Sequence, residues 1–486
     1  MQRSTQSQRS EPGYRFRIFP ARPGRHAMPS RILPSLVLYC VFFGGSLFAQ
    51  PPIGAELSSL ANSSIKVGVD LNRGGAIVYL SRGEGPNLVN NFDLGRQVQL
   101  SFFSGPVPFS TEDQEPSEHW KHLGWNPIQA GDDFDHASPV LEHRNDGKTI
   151  YVKTRPLQWP LANVPGECTF ESWLELEGAA VKVRARLNNA RSDQAQYPAR
   201  LQELPAVYAN APYSRVVSYT GVRPFSGDAV TEIPKAPGPH PWSFWQGTES
   251  WAALLDGKDN GLGLITPGRV FFTGGFAGKP GSGGTQDNST GYLAGQGQEI
   301  LDANITYEFQ YELVAGSLEE IRDRARTHCN EKLPSWRFEG SRRGWHYRNA
   351  SDRGWPIEEW LDVRLEEEDP QLFSPYTFWQ AEKAPLIEID AAFQTGADTA
   401  LLFWQHHGAK APVPENRIRF PIVPDGKFRC YEIDLREAST YDGPMVRLRL
   451  DPADSGRPGD FVRIRSIRLK AASRKLNQPG APQADK

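Results

Sequence analysis

Hydrophobic and polar residues alternate in short runs over most of the chain, from about residue 65 to residue 470. In segment 181–187, VKVRARL, the apolar side chains fall on one side of an extended backbone and the basic side chains on the other. Val, Ile, Tyr, Phe and Thr dominate these runs, and turn-forming pairs such as Asp146-Gly147 and Asn260-Gly261 separate them. The pattern predicts an all-β protein.

One segment carries a helical pattern instead. In segment 317–332, SLEEIRDRARTHCNEK, an apolar residue recurs every three or four positions. Ser317 can cap its first turn, and Glu320 three residues later completes a capping box. We expect this helix to close the first of two β-rich modules.

The spacing of the runs divides the chain into domains. We predict a first β domain over residues 53–332 and a second over residues 336–472, followed by a polar tail at 473–486. The second domain holds about eight strand-like runs and no convincing helix, which favours a β-jelly-roll sandwich.

The N-terminus reads as a targeting segment. Residues 1–27 are polar and Arg-rich, and Met28 is a second candidate start. Arg31, an apolar run and small residues before Gln50 then give the layout of a secretory signal peptide, so residues 1–49 form an extension that cleavage removes. We predict a secreted or periplasmic protein with no membrane span after signal removal; the alternative is an uncleaved N-terminal anchor.

Composition narrows the class of ligand. The formal net charge is −3 over 486 residues, and removing seven Arg and one Glu with residues 1–49 gives (54−7)−(57−1) = −9. This excludes a nucleic-acid binder driven by global basicity. The 13 Trp, 15 Tyr and 25 Phe suit β-sheets and sugar-stacking surfaces.

The first domain resembles the galactose-mutarotase-type β-supersandwich. The resemblance rests on segments 74–80 (GGAIVYL), 87–99 (NLVNNFDLGRQVQ) and 251–268 (WAALLDGKDNGLGLITPG). It implies a large curved antiparallel sandwich whose concave face holds a glycan, a fold that serves epimerases, polysaccharide lyases and accessory domains of glycoside hydrolases. No His is closely followed by Tyr-Phe-Asn, the mutarotase pattern, so a simple aldose 1-epimerase is not indicated.

The second domain resembles the jelly-roll domains appended to secreted bacterial carbohydrate-active proteins. The resemblance rests on segment 428–469, in which an aromatic-rich strand leads through a Tyr-Asp-Gly turn to two further strands. It implies either sugar binding or packing beside a catalytic domain.

Three polar residues follow the turn at Asn90-Asn91. Gln97 and Gln99 are predicted to project to one face of a strand, with Arg96 on the other. Amides and a guanidinium suit bidentate hydrogen bonding of sugar hydroxyls or a uronate carboxylate. The alternative is an Arg–Asp pair that braces a turn.

Segment 119–136, HWKHLGWNPIQAGDDFDH, is too polar and irregular for a core strand. We predict a glycan-contact loop in which Trp125 stacks on sugar and Asn126, Gln129 and Asp132 bind hydroxyls. The alternative is a structural loop held by Asx turns. We expect no metal or other cofactor; Ca²⁺ on the Asp cluster, or Zn²⁺ on the three His, is the alternative.

Two carboxyl groups are the candidate acid–base residues. Glu203 lies among apolar residues close to Tyr208, a predicted substrate contact, and burial would raise the pKa of Glu203. The alternative for Glu203 is a salt bridge to a nearby Arg. Segment 240–251 holds the second candidate, Glu249, together with His240 as a base and Trp245 for stacking.

These residues lead to competing hypotheses of function. The first is an enzyme on a polysaccharide, either a glycoside hydrolase using two carboxyl groups or a lyase using a His or Tyr base with Arg96 against a uronate. The second is a non-catalytic glycan-binding or cell-envelope protein. A third hypothesis is a structural envelope component with no sugar site. The first two predict a carbohydrate ligand and no nucleic acid, and none of the three fixes the oligomeric state.

Overall fold

The computed structural model describes residues 56–236, 241–329 and 332–472. The predicted signal peptide, His240 and the tail at 473–486 lie outside the described residues. Antiparallel β-sheet makes up nearly all of the regular structure, which confirms the predicted all-β class. No helix in the part described is long and apolar enough to cross a membrane.

The N-terminal half contains the first nineteen strands and one α-helix. In chain order they are β1 (Leu57–Ala61), β2 (Ile65–Asp70), β3 (Ala76–Arg82), β4 (Val98–Ser101), β5 (Pro127–Ile128), β6 (Val140–Asn145), β7 (Thr149–Thr154), β8 (Leu157–Gln158), β9 (Cys168–Glu177), β10 (Ala180–Asn189), β11 (Arg200–Asn210), β12 (Arg215–Ser218), β13 (Thr231–Glu232), β14 (Ser243–Gln246), β15 (Trp251–Leu255), β16 (Asn260–Ile265), β17 (Phe271–Ala277), β18 (Thr290–Glu299), β19 (Thr306–Ser317) and α1 (Leu318–Arg326).

These strands form two large sheets. A ten-stranded sheet has the order β1-β2-β3-β4-β11-β18-β17-β14, with β5 paired to β4 and β8 paired to β5. A nine-stranded sheet has the order β13-β12-β15-β16-β19-β10-β9-β7-β6. Apolar side chains from one face of each sheet form a common buried core between them. The structure is therefore a two-sheet sandwich whose outer faces are free for other roles.

Two local predictions from the alternation are confirmed. In β10 every second residue from Val181 to Leu187 is buried, and the basic residues between them are exposed or half-buried. Helix α1 begins after Ser317, whose hydroxyl accepts from the Glu320 backbone amide while the Glu320 carboxylate accepts from the Ser317 amide. The helix ends at Arg326 and packs on the outer face of the nine-stranded sheet.

The C-terminal half contains the remaining strands. They are β20 (Ser335–Arg337), β21 (His346–Arg348), β22 (Ser351–Asp352), β23 (Leu361–Arg364), β24 (Gln371–Phe373), β25 (Trp379–Gln380), β26 (Leu386–Gln394), β27 (Thr399–His406), β28 (Arg417–Pro421), β29 (Arg429–Asp434), β30 (Pro444–Asp451) and β31 (Phe461–Lys470). Short 3-10 turns span Lys121–Leu123 in the N-terminal half, and Ala381–Lys383 and Leu435–Glu437 in the C-terminal half.

These strands form two six-stranded antiparallel sheets around a second core. One has the order β22-β23-β31-β26-β29 with β20 on β31, and the other β21-β24-β30-β27-β28 with β25 on β30. Both contribute side chains to the same hydrophobic cluster, so this half is also a sandwich. Its assignment as a jelly roll stays a prediction.

Buried polar contacts join the two halves. Arg342 of the C-terminal half lies 2.6 Å from the Asp302 carboxylate of the N-terminal half and also pairs with Asp352. The Asp352 backbone amide donates to Gln196 at 2.9 Å. Because these charges are shielded from water, separating the halves would leave the Asp302 carboxylate without its cation.

Candidate functional site

A cavity of about 290 Å³, the cleft, opens on the face of the ten-stranded sheet that points away from the core. It lies over β4, β11, β18 and β17, beneath the edge strand β14 and the loops around residues 93–96, 120–126 and 288. Its polar and aromatic lining includes Asp93, Arg96, Gln99, Ser101, Trp120, Asn126, Glu203, Tyr208, Trp242, Phe244, Tyr292 and Gln296.

The register of β11 determines which of its residues face the cleft. The pairing of β11 with both neighbours shifts between Glu203 and Ala206. As a result Glu203, Ala206 and Tyr208 all line the cleft, while Leu204 and Val207 belong to the core. Glu203 therefore stands on the open face of the sheet although its neighbours in sequence are apolar.

Glu203 is the chemically distinctive group in the cleft. It pairs with Ser101 of β4 and with Gln296 of β18, and it accepts a short hydrogen bond from the Tyr292 hydroxyl. Within the part of the chain that is described, no cation forms an ion pair with it. Withdrawal from bulk water raises the pKa of Glu203, although hydrogen bonds from Tyr292 and Ser101 oppose the shift.

Three aromatic rings form one wall beside this carboxyl group. The rings of Tyr208 and Tyr292, which are paired across β11 and β18, have centroids 4.9 Å apart. Trp242 lies 4.9 Å from Tyr292 on the other side. Gly275 allows this approach, because a Cβ there would come within 2.9 Å of the Trp242 ring. Tyr208 and Trp242 are half-buried and Tyr292 is 4% exposed, so the wall presents mainly the first two rings, which suit the apolar face of a sugar.

An Arg–Asp pair closes the end of the cleft nearest β4. The Arg96 guanidinium donates to the backbone oxygen of Asn288 at 2.6 Å and to its side-chain oxygen at 2.5 Å. Its Nε lies 3.4 Å from the Asp93 carboxylate. Burial raises the pKa of Asp93, and Arg96 and two backbone amides counteract that shift. Because Asp93 balances the charge of Arg96, this end of the cleft is close to neutral.

The predicted amides hold the surrounding loops. Gln97 donates to the Asp93 backbone oxygen at 2.6 Å, and Gln99 donates to Leu94 at 3.0 Å and accepts from the Ala130 amide at 2.9 Å. Gln99 lines the cleft, whereas Gln97 is fully buried and does not. The prediction that both amides face a ligand is therefore wrong for Gln97.

The predicted loop at 119–136 contributes only in part. Asn126 lines the cleft and donates to the Phe102 backbone oxygen at 2.9 Å. Gln129 is buried and bonds the backbone of Leu100 and Gly74, so it does not reach the cleft. Trp125 is 1% exposed inside the core, which contradicts its predicted stacking role.

Asp132 is a structural residue of this loop. One of its carboxylate oxygens accepts from the backbone amides of Phe134 and His136 at 2.8 and 3.0 Å, and the other accepts from Asn163 at 2.6 Å. This is the Asx-turn alternative, and Asp132 is not a cleft residue. Among the described residues, no group of three or more His, Cys, Asp or Glu is placed to hold a metal ion.

Glu249 and Trp245 also lie outside the cleft. The Glu249 carboxylate accepts from Arg322 of α1 at 2.7 and 2.9 Å and from the Trp251 ring nitrogen at 2.8 Å, on the outer face of the other sheet. Trp245 is 8% exposed and stacks on Phe272 in the core. The structure therefore corrects both predictions: Glu249 braces α1, and Trp245 is not part of an exposed rim.

Sequence reasoning misses several residues that the cleft brings together. Tyr292 and Gln296 of β18 are separated by an even spacing, which places them on one face of the strand. Asp93 and Asn288 sit in loops far apart in sequence, and Arg96 contacts both of them. The alternation signal is present in β18, but no local signal shows that its face meets Glu203.

Comparison with known proteins gives distant structural likenesses. The galactose mutarotase-like protein from Lactobacillus casei is 12% identical over 53% of this chain and 99% of its own, with a TM-score of 0.34. A galactose mutarotase related enzyme from Lactobacillus acidophilus is 11% identical over 54% and 97%, with a TM-score of 0.32. The 4-alpha-glucanotransferase from Thermococcus litoralis is 11% identical over 55% and 38%, with a TM-score of 0.30.

These scores are too low for the likenesses to bear on activity or substrate. No protein-family model matches the chain, and no curated protein matches its sequence. A function for this protein therefore has to be inferred from the chemistry of the cleft itself.

Proposed function

We propose that the protein is a carbohydrate-active enzyme that cleaves a glycosidic bond of an uncharged saccharide bound in the cleft. The observation that carries the proposal is Glu203: a carboxyl group with a raised pKa, facing a cleft beside a wall of three aromatic rings. A carboxyl group whose pKa is raised by burial is better suited than an ordinary Glu to give a proton to a leaving oxygen.

Asp93 is the second carboxyl group of the proposal. Both groups line the cleft near Tyr208: burial is the main cause that raises the Tyr208 pKa, the charges of Glu203 and Asp93 raise it further, and that of Arg96 lowers it. Arg96 and backbone amides favour the charged form of Asp93, whereas Glu203 has no such cation. Two carboxyl groups in contrasting environments can divide the roles of general acid and of base or nucleophile.

The proposed step balances without a further reactant. Glu203 gives its proton to the glycosidic oxygen as the bond from that oxygen to the anomeric carbon breaks. Water supplies the new hydroxyl at the anomeric carbon, either directly with Asp93 as base or after a covalent bond to Asp93, and its remaining proton restores Glu203 or is taken up by Asp93 and released.

The charge of the cleft favours a neutral sugar over a uronate. A lyase needs an unmatched cation to neutralise the uronate carboxylate, and Arg96 already faces Asp93 and Asn288. This argument favours hydrolysis over β-elimination, between which the sequence does not decide.

The test is a saccharide screen on protein starting at Gln50, with Glu203→Gln and a matched control, Glu175→Gln. Glu175 is exposed on β9 and lines no part of the cleft. We expect release of reducing ends without the absorbance of unsaturated uronides, a fall in kcat of about 10²–10⁴ in Glu203→Gln with binding retained, and no change in Glu175→Gln.

Three other results would contradict the proposal or favour a different function. Product release that survives in Glu203→Gln contradicts the assignment of the acid. Unsaturated uronides among the products indicate a lyase. Binding without product, equal in all three proteins, indicates a non-catalytic glycan-binding protein.

A further inference from the structure

A second cavity, the junction cavity, lies where the two halves meet. It has a volume of about 250 Å³ and is lined from the N-terminal half by Arg269 and residues 296–299 and from the C-terminal half by Arg343, His346 and residues 374–377. No step of the proposed reaction uses it. Its position beside the cleft raises the question of whether the two cavities hold one ligand.

Gln296 forms part of the wall of both cavities. It is 6% exposed, lies directly across from Glu203, and makes no side-chain hydrogen bond to any other residue in the described ranges. Neither polar atom of its side chain is fully enclosed, so the amide is open to a ligand or to water in the cavities. A hydroxyl-rich ligand passing from one cavity to the other would bond it.

A row of aromatic rings follows the same path. Phe244, 43% exposed at the rim of the cleft, stacks on Phe271 with centroids 5.8 Å apart. Phe271 in turn stacks on Tyr376 at 4.6 Å, and Tyr376 lines the junction cavity. Phe271 lines neither cavity, and its ring and the Arg447 guanidinium, which lies 4.6 Å from the centre of the Tyr376 ring, both pack against Tyr376, so Tyr376 offers the junction cavity its ring edge and hydroxyl. The exposed Phe244 ring and this edge are apolar surfaces against which two sugar units of one chain can pack.

The junction cavity is held in shape by hydrogen bonds across the two halves. Arg447 donates to the Tyr376 hydroxyl at 3.2 Å, to the His346 ring at 2.7 Å and to Gln298 of the N-terminal half at 3.4 Å. Burial and the adjacent Arg447 keep the pKa of His346 well below its usual range, so the His346 ring is neutral. The walls therefore present preformed donors and acceptors rather than a side chain that must first change charge.

We infer that the junction cavity is a second saccharide subsite, continuous with the cleft, so that the substrate is an oligosaccharide or polysaccharide chain contacting both halves of the protein. This inference rests on the proposed function of the cleft. It assigns Gln296 to the boundary between subsites and the edge of Tyr376 to packing against the sugar in the second one. It also gives the C-terminal sandwich a part in substrate binding.

The experiment measures binding and kcat/KM on ladders of neutral gluco-, galacto-, manno- and xylo-oligosaccharides, from monosaccharide to hexasaccharide. The proteins are wild type, Tyr376→Ala, Tyr376→Phe and Trp360→Ala. Trp360 is an aromatic residue of the C-terminal half that packs on Phe428 and lines neither cavity, so its variant is the matched control.

We expect wild-type affinity to rise with chain length. Tyr376→Ala should lower the affinity for long chains by about tenfold and leave the shortest active ligand unchanged, because it removes one apolar contact of the junction cavity. Tyr376→Phe should retain most of the affinity, and Trp360→Ala all of it.

A second variant guards against a folding defect in Tyr376→Ala. Arg343 is exposed on the wall of the junction cavity, and its Nε donates to the Arg337 backbone oxygen at 3.2 Å. Arg343→Gln should lower long-chain affinity several-fold with unchanged thermal stability. If neither variant alters the dependence on length, or if wild type shows none, the inference fails while the cleft can still be active. If wild type binds no member of any ladder, both the proposed function and the inference that rests on it are wrong.

Discussion

Replacing Glu249 should destabilise the protein without acting on the cleft. Its carboxylate is 2% exposed and accepts from Arg322 twice, from the Trp251 ring and from the Phe225 backbone amide. Glu249→Ala leaves these donors unmatched and the Arg322 guanidinium, whose side chain is 14% exposed, without its carboxylate. Because the site is buried, water can solvate only a small part of the unpaired guanidinium.

The magnitude follows from the kind of pair that is broken. Removing one member of a buried ion pair costs about 3–5 kcal/mol, out of about 5–15 kcal/mol that holds a typical domain folded. Glu249→Gln keeps the shape and one acceptor oxygen but sets an amide group against a donor, so we expect about 1–3 kcal/mol. Arg322 retains its hydrogen bond to the Asp228 backbone oxygen at 2.8 Å, which keeps the loss from being larger.

The assay is urea unfolding followed by tryptophan fluorescence and circular dichroism. The two probes are compared because a chain with two cores need not unfold in one step. Glu232→Gln is the control: its surface pair with Arg215 is exposed, so the loss should stay below about 1 kcal/mol. In the double variant Glu249→Ala, Arg322→Ala, the cost should fall short of the sum of the single costs.

A loss below about 1 kcal/mol for Glu249→Ala would refute this reasoning, since a broken buried ion pair costs more. So would additive costs in the double variant, because they would mean that the two side chains do not stabilise each other. Loss of saccharide cleavage by folded Glu249→Gln would refute its placement outside the site.

The remaining predictions concern the cleft carboxyl group and one glycine. Because the folded-state pKa of Glu203 is raised, its contribution to stability is complete below the unfolded pKa of Glu, about 4.3, and is lost as pH rises through the folded pKa. Glu203→Gln should therefore gain stability relative to wild type as denaturation is repeated from acidic to neutral pH; parallel profiles would contradict the raised pKa. Gly74→Ala should lower the free energy of unfolding by at least about 1–3 kcal/mol, because φ is +59° and a Cβ would lie 1.9 Å from the Gln129 backbone oxygen. An unchanged melting temperature would show that the loop at Gln129 yields at little cost.

Local patterns predict local structure well. The alternation in β10 and the capping box before α1 each depend on residues within a few positions of one another, and both are confirmed. The loop at Asp132 is harder, because an Asx turn and a ligand-binding loop use the same residue types. Only the hydrogen bonds to Phe134, His136 and Asn163 distinguish them.

The two tryptophans near β14 show how far the alternation of side chains along a strand predicts which residues are buried. Trp242 and Trp245 are three positions apart, so an extended backbone would send them to opposite faces. The sequence therefore predicts opposite faces for the two rings, but it does not predict which face packs on the core. The answer depends on strands β17 and β18: Trp245 stacks on Phe272, and Trp242 packs at a tilt against Tyr292.

Glu203 and Glu249 show that the chemical role of a residue also depends on contacts that are distant in sequence. Each is a glutamate in a segment rich in aromatic or apolar residues, so the sequence alone makes both candidates for the same acid–base role. Glu249 meets Arg322, 73 residues away, whereas Glu203 meets Tyr292, 89 residues away. A guanidinium partner makes the first carboxyl a structural brace, and a phenol partner leaves the second without a matching charge on an open face. The distinction between support and chemistry is thus decided by sheet pairing, which single-sequence patterns do not contain. The same pairing brings Gln296 opposite Glu203, and that unmatched amide is why the site is expected to continue toward the second sandwich.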